Sequence, residues 1–155
     1  MKSRNIFGLC LASLVVLMAV LIGTRTIGPV IGFPGGPLNG VVKQVPAGWP
    51  TAIQESTIQL ETNPEDPYSV NLWGVIAGSH FYIATKPEGT AWSKNIDVDS
   101  RVRLGVGESI YALSAVRIDD ESEISNVHEA YVKKYEVDPK EIILTAVLIY
   151  RLDSL

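Results

Sequence analysis

Arg101-Val102-Arg103-Leu104-Gly105-Val106-Gly107-Glu108-Ser109-Ile110 is the stretch on which the fold turns. Val102, Leu104 and Val106 alternate with Arg101, Arg103 and Gly105, so apolar side chains recur at every second residue, the period of a strand buried on one face. Gly107-Glu108 then sends the chain back into a second apolar run, Ile110 through Ile118. Glycine reaches the positive φ that tight hairpin connections need. The segment is expected as an antiparallel ribbon, one face on a core and the other toward water.

The same period extends toward the N-terminus. Ile58 and Leu60 alternate with Gln59 and Glu61; Tyr68, Val70 and Leu72 with Ser69, Asn71 and Trp73; Phe81 and Ile83 with Tyr82 and Ala84. Between the last two runs, Ala77-Gly78-Ser79-His80 reads as a hairpin turn. Past the ribbon the period changes. Asp120 can cap a helix, with Glu123 at capping-box spacing, and Ile124, Val127, Tyr131 and Tyr135 fall on one helical face until Asp138-Pro139 ends it. The last segment, Ile142 to Leu152, is apolar on both faces, as in a central strand or one that seals a barrel. Leu144, Ala146 and Leu148 are expected to point inward. The fold class is mainly β, an antiparallel β-barrel with one packed helix, closed so that few strand edges are left open.

Residues 5–24 carry no charge, and Lys2 and Arg4 precede them. That length matches the ~20 apolar residues of a membrane-crossing helix, and basic residues hold its N-terminus in the cytoplasm. A cleaved secretory signal shares the basic start and apolar centre, but no A-x-A pattern appears around Leu17 to Gly23. The expected layout is an N-terminal transmembrane helix or signal over 1–25, a Gly/Pro-rich linker over 26–52 and a barrel domain over 53–155. The domain would be membrane-anchored and lie outside the cytoplasm, at the periplasmic or extracellular face. In the linker, Gly28-Pro29, Gly32 through Gly40 and Pro46-Ala47-Gly48-Trp49-Pro50 break regular elements. A phosphate-cradling loop would need a strand before it and a Lys-Ser/Thr helix start after it, so a spacer is the reading, with Trp49 available to dock it.

Composition narrows the chemistry. Net charge is −4, which gives no nucleic-acid footprint. Cys10 is the only cysteine and lies in the apolar run, so the exported part has no disulfide and no thiol nucleophile. His80 and His128 have no spaced partners, and no metal site is expected. Asp119, Asp120, Glu121 and Glu123 cluster where a helix dipole and cap account for them. Arg101 and Arg103 share a strand face, with Arg117 expected across the hairpin; they form either a charged exterior matched to carboxylates or an anion patch. Trp73 and Tyr111 read as core aromatics or ligand-lining ones.

Phe81-Tyr82-Ile83-Ala84-Thr85, a loop with Trp92-Ser93-Lys94-Asn95-Ile96, then a strand led by Asp97-Val98-Asp99-Ser100-Arg101 and continuing to Leu104, resembles the FMN-binding split β-barrel superfamily. That group includes pyridoxamine-phosphate-oxidase-like proteins and deazaflavin-dependent nitroreductases. The resemblance spans residues 54–152 and implies a six-stranded antiparallel split β-barrel of Greek-key type. It further implies an FMN or deazaflavin cofactor at a homodimer interface and an oxidoreductase-like role. Carried over by position, Thr85, Lys86, Trp92, Ser93, Lys94 and Asn95 are the cofactor-binding candidates. Lysines and a threonine hydroxyl suit a phosphate, and a tryptophan suits a flat ring. The alternatives are a non-catalytic binding or assembly module on the same barrel, and a haem-binding variant.

Overall fold

The structure is a computed structural model that describes residues 28–30, 32–49, 55–139 and 147–155. The expected anchor or signal falls outside these residues, as do Leu144 and Ala146. Among the described residues no helix is long and apolar enough to cross a membrane. In chain order the elements are β1 (Val41–Val42), β2 (Ile58–Thr62), β3 (Tyr68–Leu72), β4 (Gly74–Ala77), β5 (His80–Thr85), α1 (Ala91–Val98), β6 (Arg101–Val106), β7 (Ser109–Arg117), α2 (Glu121–Tyr135) and β8 (Leu148–Ser154).

The strands form one sheet in the order β3-β2-β6-β7-β8-β5-β4, antiparallel throughout, with β1 added in parallel to the start of β7. Its two edge strands, β3 and β4, are consecutive in the chain and separated only by Trp73. One residue cannot bridge a flat seven-strand sheet whose neighbours lie about 4.8 Å apart. The sheet therefore curls until its edges meet, and the result is a half-barrel split at that seam.

Period-two alternation sorts the side chains as the sequence suggested. Ile58, Leu60, Phe81, Ile83, Val102, Leu104, Leu113, Ala115, Tyr150 and Leu152 fill the inside, and half-buried Leu148 packs on them. Outside, Val75, Tyr82 and Ile149 meet Val127 and Tyr131 of α2. Asp120 caps α2, its carboxylate accepting from the Glu123 N–H at 2.8 Å. Glu136 ends the helix in the left-handed region. Both expected hairpin turns are present, at Gly78-Ser79 and Gly107-Glu108.

Three expectations need correction. Strands outnumber the six expected, because Gly74–Ala77 forms its own strand and Val41–Val42 adds another. Gly74 allows the Phe81 ring to cross it closely; a Cβ there would collide with that ring. There are two helices, not one: Ala91–Val98 is α1 rather than a loop leading into a strand. Trp92 and Ile96, four apart, put both large apolar side chains on the face that enters the barrel. Lastly, Arg117 does not face Arg101 across the hairpin. Ser114 does, and Arg117 pairs with Tyr150 of β8.

Residues 28–30 and 32–49 lie on the barrel. Trp49 is buried edge-on to Phe81 and Tyr111, at ring separations of 5.4 and 4.9 Å. Gly35 bridges to Ser69 of β3, and the Val41 N–H donates to the Glu108 carbonyl at 2.8 Å. Residues 29–42 thus cross the outer face of β3, β2, β6 and the start of β7 as a strap.

Candidate functional site

β5 ends at Thr85, and the chain turns through Lys86 to Gly89, where the Gly89 N–H donates to the Lys86 carbonyl at 2.9 Å. Thr90 is the N-cap of α1, and its N–H donates to Ser93 Oγ at 2.8 Å in a capping-box arrangement. The Thr85 hydroxyl reaches Thr90 Oγ1 at 3.3 Å. Local sequence thus brings all six candidates onto one strand end, one turn and one short helix.

Their side chains divide sharply. Trp92 is turned into the barrel, buried, and meets Tyr150 edge-on at 5.7 Å. Ser93 is buried and occupied by the cap. Asn95 Nδ2 donates to Thr62 Oγ1 at 3.0 Å, tying α1 to β2. Lys86 and Lys94 are exposed, and among the described residues neither makes an ion pair. A phosphate fits this donor set of two ammonium groups and a threonine hydroxyl at a helix start. A flat ring finds no exposed aromatic face in Trp92. Beneath α1 the Tyr150 hydroxyl is buried near Ser93 with no well-formed hydrogen bond among the described residues, and burial raises its pKa.

Sequence reasoning missed a second constellation. A cavity of about 710 Å³ opens between the β4–β5 turn and α2, lined among others by His80, Tyr82, Glu123, Lys133 and Arg151. It lies at the opposite end of β5 from Thr85. Glu123 does not complete a capping box; its carboxylate accepts from the Tyr82 hydroxyl at 2.8 Å and from Arg151 at 2.9 Å. Arg151 also grips Asp153 through Nε and NH2. Burial and the neighbouring Glu123 carboxylate push the Tyr82 hydroxyl far above its usual pKa. The signal was outward alternation in β8, where Arg151 and Asp153 follow Ile149.

The arginine pair has carboxylate partners. Arg101 binds Asp99, and Arg103 binds Glu61 at 2.9 Å, so these two side chains offer no open anion patch. Trp73 is exposed and stacks on Tyr135 at 4.4 Å, whereas Tyr111 packs against Trp49.

No family model matches the chain, and no curated protein does either. Solved structures do. A candidate 5-nitroimidazole antibiotic resistance protein from Bacteroides thetaiotaomicron aligns with TM-score 0.54 at 13% identity, covering 66% of this chain and 74% of that one. The haem storage protein HutZ from Vibrio cholerae gives 0.53 at 15%, covering 66% and 84%. A conserved hypothetical protein from Mycobacterium tuberculosis gives 0.52 at 14%, covering 72% and 85%. At such identities the likeness is one of fold, and the fold is the split barrel.

Proposed function

We propose that this chain is an exported, membrane-tethered split-barrel protein that binds FMN, a deazaflavin or a similar planar cofactor beside α1 as a homodimer. One observation carries the reading: exposed Lys86 and Lys94, without ion pairs among the described residues, bracket the turn from β5 into α1. They and Thr85 would hold the cofactor's phosphate, and a flavin or deazaflavin would supply electron transfer there. Two proteins of similar fold are named for 5-nitroimidazole resistance and for haem storage, and haem is itself a planar ligand.

Titration of FMN against flavin fluorescence tests it. A charge-assisted hydrogen bond is worth about 1.5–3 kcal/mol, so Lys94→Ala should weaken binding at least about tenfold. Wild-type protein that leaves the fluorescence of millimolar FMN unchanged would remove FMN, and a titration with hemin followed by absorbance would then test a tetrapyrrole. Export is tested separately, with a C-terminal reporter active only outside the cytoplasm.

A second reading, a binding or assembly module without cofactor, draws on a different observation. Trp92 and Asn95 are engaged in holding α1 to the barrel, and Ser93 in capping the helix. A purified protein that stays colourless and binds neither FMN nor hemin would favour it.

A further inference from the structure

The strap carries a surface that the cofactor reading leaves unused. Residues 28–42 contain no charged side chain, although 19% of the chain is charged. Its inward side is committed to the barrel. Leu38 is buried, and its N–H donates to the Glu61 carboxylate at 2.6 Å while its carbonyl accepts from Arg103. The Ser69 hydroxyl donates to the Gly36 carbonyl at 2.6 Å, and the Asn71 amide to that of Pro29 at 3.3 Å. At Gly40 the strap lies so close to β7 that a Cβ would sit 2.7 Å from the Glu108 carbonyl oxygen. With the inward side held, four large apolar side chains of the strap stay exposed; of these Val41 and Val42, successive in β1, point to opposite faces of the sheet, Val42 to the face of Ile110. Val30 is 47% exposed, Phe33 61%, Val41 60% and Val42 68%. Together they are half of the molecule's exposed large hydrophobics among the described residues, gathered on one strap. Exposed apolar patches of this kind mark interaction or membrane sites.

We infer that the strap is a membrane-seating surface: its outward apolar side rests in the headgroup boundary of the bilayer that holds the N-terminus. The inference rests on the anchored reading of residues 1–25 proposed above. The uncharged run ends at Thr24, and the four steps from there to Gly28 span at most about 14 Å of extended chain. Gly28 lies against Leu38 and Gln59, on the outer face of β2. A barrel tethered that closely cannot hang free, and the face that meets the lipid is the one that carries Gly28. In sequence the strap is flanked by Arg25 and Lys43, and cations beside an apolar stretch suit anionic lipid headgroups. α2 packs on β4, β5 and β8, strands that the strap does not cross.

Single-cysteine variants of the full chain test this in a Cys10→Ser background. Phe33→Cys, Val42→Cys and, on the exposed side of α2, Ser125→Cys would carry an environment-sensitive fluorophore. The protein is placed in vesicles of phosphatidylethanolamine and phosphatidylglycerol. Labels at 33 and 42 should be at least about threefold less accessible to iodide than the label at 125, as expected for groups at the acyl boundary, and should be quenched by spin-labelled lipid. All three sites are exposed, so unchanged near-UV circular dichroism is expected and checks the fold. If all three labels are equally open to iodide while the protein floats with the vesicles, the seating surface is wrong and the anchor stands. If the protein does not float, the anchored reading fails and takes the inference with it. Shielding from iodide without lipid quenching, together with a disulfide-linked Phe33→Cys dimer, would assign the face to a second copy and overturn the lipid seat.

Discussion

Glu61 projects from the outer face of β2 directly opposite Arg103 of β6, and the strap closes over both. Its side chain is only 5% exposed, yet its carboxylate is satisfied by the Leu38 N–H and by Arg103. Removing one partner of such a pair leaves the other charge uncompensated, at a cost of about 3–5 kcal/mol when both are buried. Arg103 is a third exposed, which places Glu61→Ala at the lower end, about 3 kcal/mol by urea denaturation. Glu61→Gln keeps an acceptor for Leu38 and should cost clearly less; equal losses would show that the strap contact contributes nothing. A second single-residue prediction concerns acid. Hydrogen bonds and charge from Arg101 hold the Asp99 carboxyl at about 2, below its ordinary 3.8. A carboxyl with a depressed folded pKa stabilises at pH above the unfolded value and loses that stabilisation as pH falls through the folded one. Asp99→Asn should therefore flatten the decline of stability between pH 3.8 and 2, and an unchanged acid limb would show that the pair is silent. Pairing of Arg103 with Glu61 was legible in outline, because cross-strand charges usually find partners, whereas Arg101 takes Asp99, two residues before it in the chain. The inward turn of Trp92 was not, since a tryptophan beside lysines reads equally well as a ligand wall.

The β6–β7 hairpin announced itself through apolar side chains at every second residue and a glycine at the turn, and α2 through its cap and 3.6-residue face. α1 was hidden. Eight residues give barely two turns, and Asp97-Val98-Asp99 imitates the start of the strand that follows. Its assignment is settled by tertiary contact, the burial of Trp92 and Ile96 in the barrel, which no local pattern encodes. The strap was hidden for a related reason: its partners lie 23 to 68 residues away in sequence, and glycine-proline chain without periodicity looks like any spacer. β8 allows a graded test of the barrel interior. Leu152 is fully buried among the inner side chains, whereas Leu148, on the same face, is half exposed. Leu152→Ala should cost about 2–5 kcal/mol, as buried leucine truncations do. Leu148→Ala should cost less, because a half-exposed side chain gives up only part of its transfer free energy. Equal midpoints for the two variants in denaturant would place the strand's inner face differently.

A half-barrel whose edge strands are consecutive must open somewhere, and the seam at Trp73 is where no ladder of backbone hydrogen bonds runs. α2 closes it from outside. Trp73 stacks on Tyr135, the Tyr131 hydroxyl donates to the Trp73 carbonyl at 3.3 Å, and Lys134 Nζ donates to the Gly74 carbonyl at 2.8 Å. The Tyr135 hydroxyl accepts from the Gly74 N–H at 3.1 Å and also lies within donating distance of the Ser56 carbonyl at 3.0 Å. One phenol thus joins the helix, the seam and the residue that leads into β2. Contacts of this kind decide which part of a fold opens first, since local opening follows the weakest set of hydrogen bonds and burial. Tyr135→Phe keeps the ring stack and removes only the hydroxyl. It should lower global stability by about 1 kcal/mol, the net worth of a typical hydrogen bond. The larger effect is expected to be local. Amide hydrogen exchange should quicken in β3 and β4 while the β6–β7 hairpin, bonded on both sides of the core, keeps its protection. Uniform acceleration across all strands would mean that the barrel opens only by global unfolding, and that the clasp of α2 over the seam adds stability without governing where the barrel parts.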